Sequence, residues 1–379
     1  MTAQLTTPPV LVPTGQQRAP RRPRVLVVSG SVGAGHDGAA RELAARLTAT
    51  GASVAVRDFL SAVPRPVARL LREGYTSSVM HIPAAFEFLF HRLERQGLLW
   101  RVEQGVCAAA QAPVTGWVSQ QRPDLVVSTY PLASQTLGAL RADGRLAVPV
   151  MTYLTDPAAH ASWLHPGVDT HLTVTEATAV QGRTEYGRPF TVAGPLVPAR
   201  FACRPGPARR VALRGELGLD GERPVALLVA GSLGLGDVVG TVRDVTAAGF
   251  AALVLCGRND ALRRRVAAQP GAVALGWRTD VHALMQVADV LVHNAGGLSC
   301  TEALVAGLPA VTYRPIPGHG RANARVLRDS GMAPWARTPA ELGVLLHSLL
   351  GRDRTPPTLG DPVTVVLAAL RQPVVEAAA

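Results

Sequence analysis

Short runs of consecutive apolar residues alternate with stretches whose apolar positions recur every three or four residues. Val25–Ser29, Val54–Val56, Leu125–Ser128, Val148–Thr155, Thr170–Val174 and Thr191–Ala193 read as strands buried on both faces. Arg41–Ala49 has the helical period, with its apolar positions opposite Arg41 and Arg46. This is the βαβ rhythm of a parallel sheet covered by helices. The rhythm breaks at Gly194–Pro207, where Gly194, Pro195, Pro198, Pro205, Gly206 and Pro207 mark a linker. It restarts at Val225–Ala230 and runs on through Ala252–Cys256, Val273–Leu275, Val290–His293 and Ala310–Tyr313. Arg354–Asp361 is again rich in Pro and Gly, and a last helix is expected over Val363–Leu370.

The pattern predicts an α/β protein of two Rossmann-like domains: a frayed tail over 1–23, a first domain over 24–196, a linker over 197–207, a second domain over 208–352, and a terminal helix and tail over 353–379. A length of 379 residues is enough for two separate cores, and 47% hydrophobic against 17% charged residues excludes a disordered chain. The net charge is +11, and every one of the 38 basic residues is Arg. Residues 1–200 hold 19 of them, so the charge is spread out, and no nucleic-acid partner is expected. Cys107, Cys203, Cys256 and Cys300 stand far apart, which suggests neither a disulfide framework nor a metal knuckle and fits a reducing cytoplasm. The first 23 residues lack an apolar core of signal-peptide type, and no run reaches the roughly 18 apolar residues that span a bilayer.

Three segments carry candidate chemistry. Ser29-Gly30-Ser31-Val32-Gly33-Ala34-Gly35-His36 follows a strand and opens a helix, so small residues admit a ligand close to the backbone and free N–H groups face it. The spacing is not G-x-G-x-x-G, which argues against a dinucleotide. His36 ends this loop at the carboxyl edge of the sheet, where open α/β sheets bind ligands, and an imidazole there suits a general base; a loop or capping histidine is the alternative. Ala230-Gly231-Ser232-Leu233-Gly234-Leu235-Gly236-Asp237 is a second glycine-rich strand-to-helix turn suited to a pyrophosphate. The third runs from His293-Asn294-Ala295-Gly296-Gly297-Leu298-Ser299-Cys300-Thr301-Glu302 to Leu308-Pro309, with a helix expected to start near Ser299 and Glu302 in its first turn. Glu302 there suits two ribose hydroxyls, or a capping box with Ser299.

Together Gly33-Ala34-Gly35-His36, the second glycine-rich loop and Asn294 to Pro309 resemble glycosyltransferase family 28, and over roughly residues 24–350 the chain is most similar to its monogalactosyldiacylglycerol synthase, or diacylglycerol glycosyltransferase, type. The peptidoglycan N-acetylglucosaminyltransferase that makes lipid II is a more distant likeness. Thr155-Asp156-Pro157 through Asp169 and Ile316-Pro317-Gly318-His319-Gly320-Arg321-Ala322-Asn323 carry the closer resemblance. It implies a GT-B fold: two Rossmann-like domains facing across a cleft, an acceptor domain first and a nucleotide domain second, and a C-terminal helix crossing back. It implies His36, with Asp156, at the reacting centre, and Gly33, Gly35, His160, Phe86 and Phe90 on the acceptor side. Donor contacts are implied for Gly231, Ser232, Trp277, Arg278, Asn294, Gly296, Gly297, Leu298, Ser299, Glu302, His319 and Asn323.

The activity so implied is hexosyl transfer from a UDP-sugar to a hydroxyl acceptor, a lipid such as diacylglycerol, by inverting displacement without a metal or cofactor. The absence of a clear Asp-x-Asp signature agrees. A soluble natural-product acceptor, UDP-N-acetylglucosamine 2-epimerisation on the same fold and non-catalytic binding are the competing readings. His319-Gly320 departs from the Gln-Glu or Gln-His of relatives, which leaves the sugar open. His160 and His165, five apart in a Pro-containing loop, have poor metal geometry. Tyr75–Arg101 gathers Met80, Ile82, Phe86, Phe88, Phe90, Leu98 and Trp100 with Arg92, Arg95 and Arg101, a pattern for either an interfacial helix on an anionic membrane or a core helix with a basic edge. A cytoplasmic, peripheral protein is the expectation.

Overall fold

The computed structural model of the chain describes residues 21–74, 97–204, 206–219 and 222–371. Twelve strands form two six-stranded sheets among these residues, and every recorded pairing is parallel. The first contains β1 (Arg24–Ser29), β2 (Ser53–Asp58), β3 (Leu125–Ser128), β4 (Val150–Tyr153), β5 (Thr170–Thr173) and β6 (Phe190–Val192), in the order β2-β1-β3-β4-β5-β6. The second contains β7 (Val225–Val229), β8 (Ala251–Leu255), β9 (Ala272–Leu275), β10 (Val290–His293), β11 (Ala310–Tyr313) and β12 (Trp335–Ala336), in the order β12-β11-β10-β7-β8-β9. The two Rossmann-like domains expected from the apolar runs are present. The strands are continuous Val, Leu and Ala runs because helices cover both faces of each sheet. Val25, Val27, Leu43 and Leu47 pack on one face of the first sheet, and Leu26, Val28, Leu137 and Leu140 on the other.

Strand order places the ligand crevice. The order in which strands are added reverses between β1 and β3 in the first sheet and between β7 and β10 in the second, and such switch points open a gap beyond the carboxyl ends of the strands. The loops leaving these four strands are Gly30–Gly33, Thr129–Tyr130, Ala230–Asp237 and Asn294–Gly296, so three of the four contain the glycine-rich segments.

The chain crosses between the sheets twice. On the way out, Ala199–Phe201 forms a short 3-10 turn whose Phe201 is buried with Val197 against the second sheet, so this linker is anchored by apolar packing despite its Pro and Gly content. On the way back, the helix Pro362–Arg371 lays Val363 and Val366 into the first domain's core beside Val25, Val27 and Leu43. The two crossings touch: Gly194 has φ +92, and a Cβ on it would stand 2.1 Å from the Gly360 carbonyl. Arg46 joins them to the helix Ala34–Ala49, donating to the Val197 carbonyl and, at 3.3 Å, to Asp361.

Val366 is completely buried in a cluster whose other members, apart from residues of its own helix, all precede residue 200. Val366→Ala should therefore destabilise the first domain by on the order of 2 kcal/mol through lost burial and a cavity. In urea unfolding followed by proteolysis mapping, the first domain's midpoint should fall while the second's holds; an equal shift of both would show that the helix belongs to neither core alone.

Candidate active site

The carboxyl ends of the two sheets face each other across a cleft of about 600 Å³. Gly33, Gly35, His36 and Asp156 line it from the first domain. Gly231, Ser232, Trp277, Arg278, Asn294, Gly296, Gly297, Leu298, Ser299, Glu302 and His319 line it from the second. The domains touch at its floor. A Cβ on Gly297 would lie 2.0 Å from the Thr155 carbonyl, so only glycine permits this approach, and Leu298 packs on Gly35 and Gly38.

His36 sits in the first turn of the helix Ala34–Ala49. Its Nδ1 is 2.9 Å from the Thr129 carbonyl, which only accepts, so Nδ1 carries the proton and Nε2 the lone pair. Thr155 Oγ1 stands 3.0 Å from the same Nδ1. Tyr130 meets the ring edge-on at 5.2 Å and Trp163 lies 5.8 Å away, which fixes the ring plane. Burial lowers the His36 pKa below the ordinary 6.5, and the charge of Asp156 works against that shift. Asp37, next to His36 in the chain, raises its pKa less than Asp156 does and accepts from Ser29 Oγ at 2.6 Å.

Asp156 follows β4 on the loop that meets Gly297. Trp163 Nε1 donates to its Oδ2 at 3.0 Å, and His160 Nε2 stands 3.6 Å from the same oxygen. Burial alone would raise this carboxyl's pKa; hydrogen bonding from His160 and the facing imidazoles of His319, His160 and His36 outweigh it and hold Asp156 well below the usual carboxylate range. Asp156 is thus an anion beside a neutral imidazole, an arrangement that stabilises His36 when it takes a proton.

On the opposite wall the helix Gly297–Ala306 points its N-terminus into the cleft. Its first-turn N–H groups lack intrahelical partners and favour an anion. The turn before it is held by side chains. Ala295, at φ 67, donates its N–H to His293 Nδ1 at 3.1 Å, and Asn294 Nδ2 donates to the Leu235 carbonyl at 3.0 Å, tying the two glycine-rich loops of the second domain together. Because the helix starts two residues before Ser299, with Gly296 as N-cap, Glu302 lies in its second turn. Ser299 is therefore not an N-cap, and the capping-box alternative does not hold. Burial pushes the Glu302 carboxyl up to about 8, with Arg200 pulling the other way. Arg200 comes from the linker turn and lines the same cleft. At the rim, Trp277 is half-exposed with Arg258 stacked 4.5 Å over its ring, and Arg278 is paired with Asp280.

Two expected positions lie off the cleft lining. Asn323 does not line the cleft: it is fully buried, and its amide is engaged by Ala158, Ala295 and Asp156. His160 lies behind Asp156 rather than in the cleft, packed against Trp163 at 6.0 Å. Phe86 and Phe90, with most of the aromatic segment, lie outside the described residues. Sequence reasoning missed Thr129 and Thr155, which orient His36, the indole donor Trp163, and Arg200. The adjacency of Thr155 to Asp156 and of Trp163 to two histidines was the available signal.

Among known proteins, the sequence profile of the monogalactosyldiacylglycerol (MGDG) synthase family matches residues 36–187. A processive diacylglycerol beta-glucosyltransferase of Bacillus cytotoxicus is 28% identical over 253 residues, which cover 62% of this chain and 61% of that protein. The match thus spans about 61% of the relative's length. A Streptomyces sp. SF2575 glycosyltransferase, SsfS6, solved with thymidine diphosphate, superposes with a TM-score of 0.57 at 17% identity, over 92% of this chain and 99% of that one. MurG of Acinetobacter baumannii gives 0.55 at 18% identity over 93% and 99%. The structural likenesses establish the GT-B fold of two facing Rossmann-like domains, and over residues 36–187 the chain is similar to the monogalactosyldiacylglycerol synthase family.

Proposed function

We propose that the chain moves a hexosyl group from a UDP-sugar to a hydroxyl acceptor, a lipid such as diacylglycerol, by direct inverting displacement that uses no metal. The observation that supports this best is the pairing, across one cleft, of a neutral His36 backed by ionised Asp156 with a helix N-terminus and Glu302. In this reading His36 Nε2 takes the acceptor's hydroxyl proton as its oxygen attacks the anomeric carbon. The bond from that carbon to the diphosphate oxygen breaks, and charge building on the diphosphate meets the first-turn amides of Gly297–Ala306. Glu302 accepts from the ribose hydroxyls, and Trp277 borders the base. The relatives' names support a diacylglycerol acceptor and a β product, which inversion of an α-linked UDP-glucose yields. Leu70, Leu98 and Val102 are exposed apolar side chains on the first domain, which suits contact with a membrane surface. No helix among the described residues is long and apolar enough to cross a membrane.

The reaction is tested by mass spectrometry of products from a panel of UDP-sugars with diacylglycerol in anionic vesicles and with soluble hydroxyl acceptors, in the presence of a chelator. UDP release that requires an acceptor supports the transferase; release or 2-epimerisation without one overturns it. His36→Ala should lower kcat by about 10²-fold or more with UDP affinity nearly unchanged. Asp156→Asn removes the charge that raises His36, so the acid limb of kcat/KM should move to lower pH as turnover falls. An unmoved limb would place the base elsewhere.

Glu302 gives a prediction that needs no substrate. Its folded pKa of about 8 lies above the ordinary 4.5. Below 4.5 both folded and unfolded states hold the proton. Between 4.5 and 8 only the unfolded state has lost it, so this residue lowers stability as pH rises through that window. Glu302→Gln should therefore melt above the parent at pH 8 and level with it at pH 4. In calorimetry Glu302→Ala should weaken UDP binding about ten- to hundredfold, the value of charge-assisted hydrogen bonds at roughly 1.5–3 kcal/mol. A melting difference without a change in affinity would deny it the ribose.

A further inference from the structure

Asn323 lies one turn into the helix His319–Asp329, and its side chain is completely buried where the two domains meet. Oδ1 accepts from the Ala158 N–H at 2.9 Å, on the loop that follows β4 of the first sheet. Nδ2 donates to the Ala295 carbonyl at 3.1 Å, on the loop that follows β10 of the second sheet. The same nitrogen reaches Asp156 Oδ1 at 3.5 Å. One carboxamide is therefore bonded partly within its own domain and partly across the cleft.

The bonds differ in what they depend on. The bond to Ala295 lies inside the second domain and needs no partner across the cleft. The bonds to Ala158 and Asp156 exist only while the domains are together, as does the seating of Gly297 on the Thr155 carbonyl and of Leu298 on Gly35 and Gly38. Separating the domains strips a buried N–H and a buried carboxylate of this partner, and such groups are costly to leave unpaired. It also frees one oxygen of Asp156, the other being held by Trp163.

We infer that Asn323 is a positioning residue that latches the cleft shut and aims Asp156 only in the closed protein. Its braced neighbour Ala295 stays in place in either state, so the donor turn is ready before closure, while the Asp156 that faces His36 is aligned by closure itself. The consequence for turnover rests on the transferase reading; the latch does not.

The test uses the full chain with Cys203→Ser, which removes the exposed thiol, and spin labels on cysteines at Val192 and Val344, exposed sites on the first and second domains. Pulsed electron-resonance distances are read without ligand, well below the melting temperature. The parent should show one narrow, short distribution, and Asn323→Ala should raise the longer-distance population at least fivefold. Gly297→Ala pushes a methyl group onto the Thr155 carbonyl without touching Asn323, and should open the cleft in the same way even where Asn323→Ala folds poorly. Asn323→Asp keeps an acceptor for Ala158 but sets a carboxylate against Asp156, and should open it further. In kinetics Asn323→Ala should cut kcat tenfold or more and leave the UDP dissociation constant within threefold. Unchanged distances in both Asn323 variants overturn the latch, and so does a tenfold loss of UDP affinity with unchanged distances. A shift in distances with no UDP-sugar turned over by the parent leaves the latch standing and removes the transferase reading.

Discussion

The two domains meet closely where a side chain is missing. Gly297 lies so near the Thr155 carbonyl that a single methyl group would collide with it. Both residues sit at carboxyl ends of strands, one after β4 and the other after β10, so their contact sets the separation of the two crevices that strand order has opened. With that separation, the loops leaving β1 and β3 and the loops leaving β7 and β10 share one cavity of about 600 Å³. His36 and Glu302 then belong to one site although they are distant in sequence and stand on different sheets.

Burial within that site separates the states of its ionisable groups. Glu302 is pushed toward its neutral form by burial against the pull of Arg200, while Asp156 is surrounded by donors and stays charged. Two carboxyl groups in one cleft are thus held in opposite states by their neighbours, the pattern by which sites divide roles among like side chains. Glu302 is destabilising in the protein without ligand because burial disfavours its charged form and no side-chain hydrogen bond to it is found among the described residues. Asp156 needs no ligand to be satisfied, since Trp163 and Asn323 already donate to it.

The sheets were legible because parallel strands buried on both faces are plain apolar runs, and their ends shift by only a residue or two between expectation and structure. Trp335–Ala336 escaped because two residues carry no period. Loops were legible as far as small residues crowd around a ligand: the glycine-rich turns fall on the cleft as read. Side-chain direction was not. Asn323 shares a helical face with His319, yet one turn further along the axis it is buried at the domain interface while His319 lines the cleft. The helix start at Gly297 in place of Ser299 likewise moved Glu302 from the first turn to the second and removed the capping alternative. Phe201 was hidden in a stretch of Pro and Gly that reads as free linker, though its ring is a core residue of the second domain.

The helix Ala34–Ala49 connects these features into one lever. Near its N-terminus, Gly35 and Gly38 receive Leu298 from across the cleft, and His36 lies between them. Near its C-terminus, Arg46 holds both chain crossings, through the Val197 carbonyl and Asp361. The rise of an α-helix puts about 16 Å between Gly35 and Arg46. The covalent connections between domains therefore run past one end of this helix, and the non-covalent closing contact lies at the other. A rotation about the two crossings moves the Gly35 end most and the Arg46 end least. Small angular changes at the linker are converted into the largest displacement where His36 and Asp156 meet the donor helix. The covalent crossings hold the domains together while the contact at Gly297 and Asn323, which has no covalent tie, is left to decide whether the site is assembled.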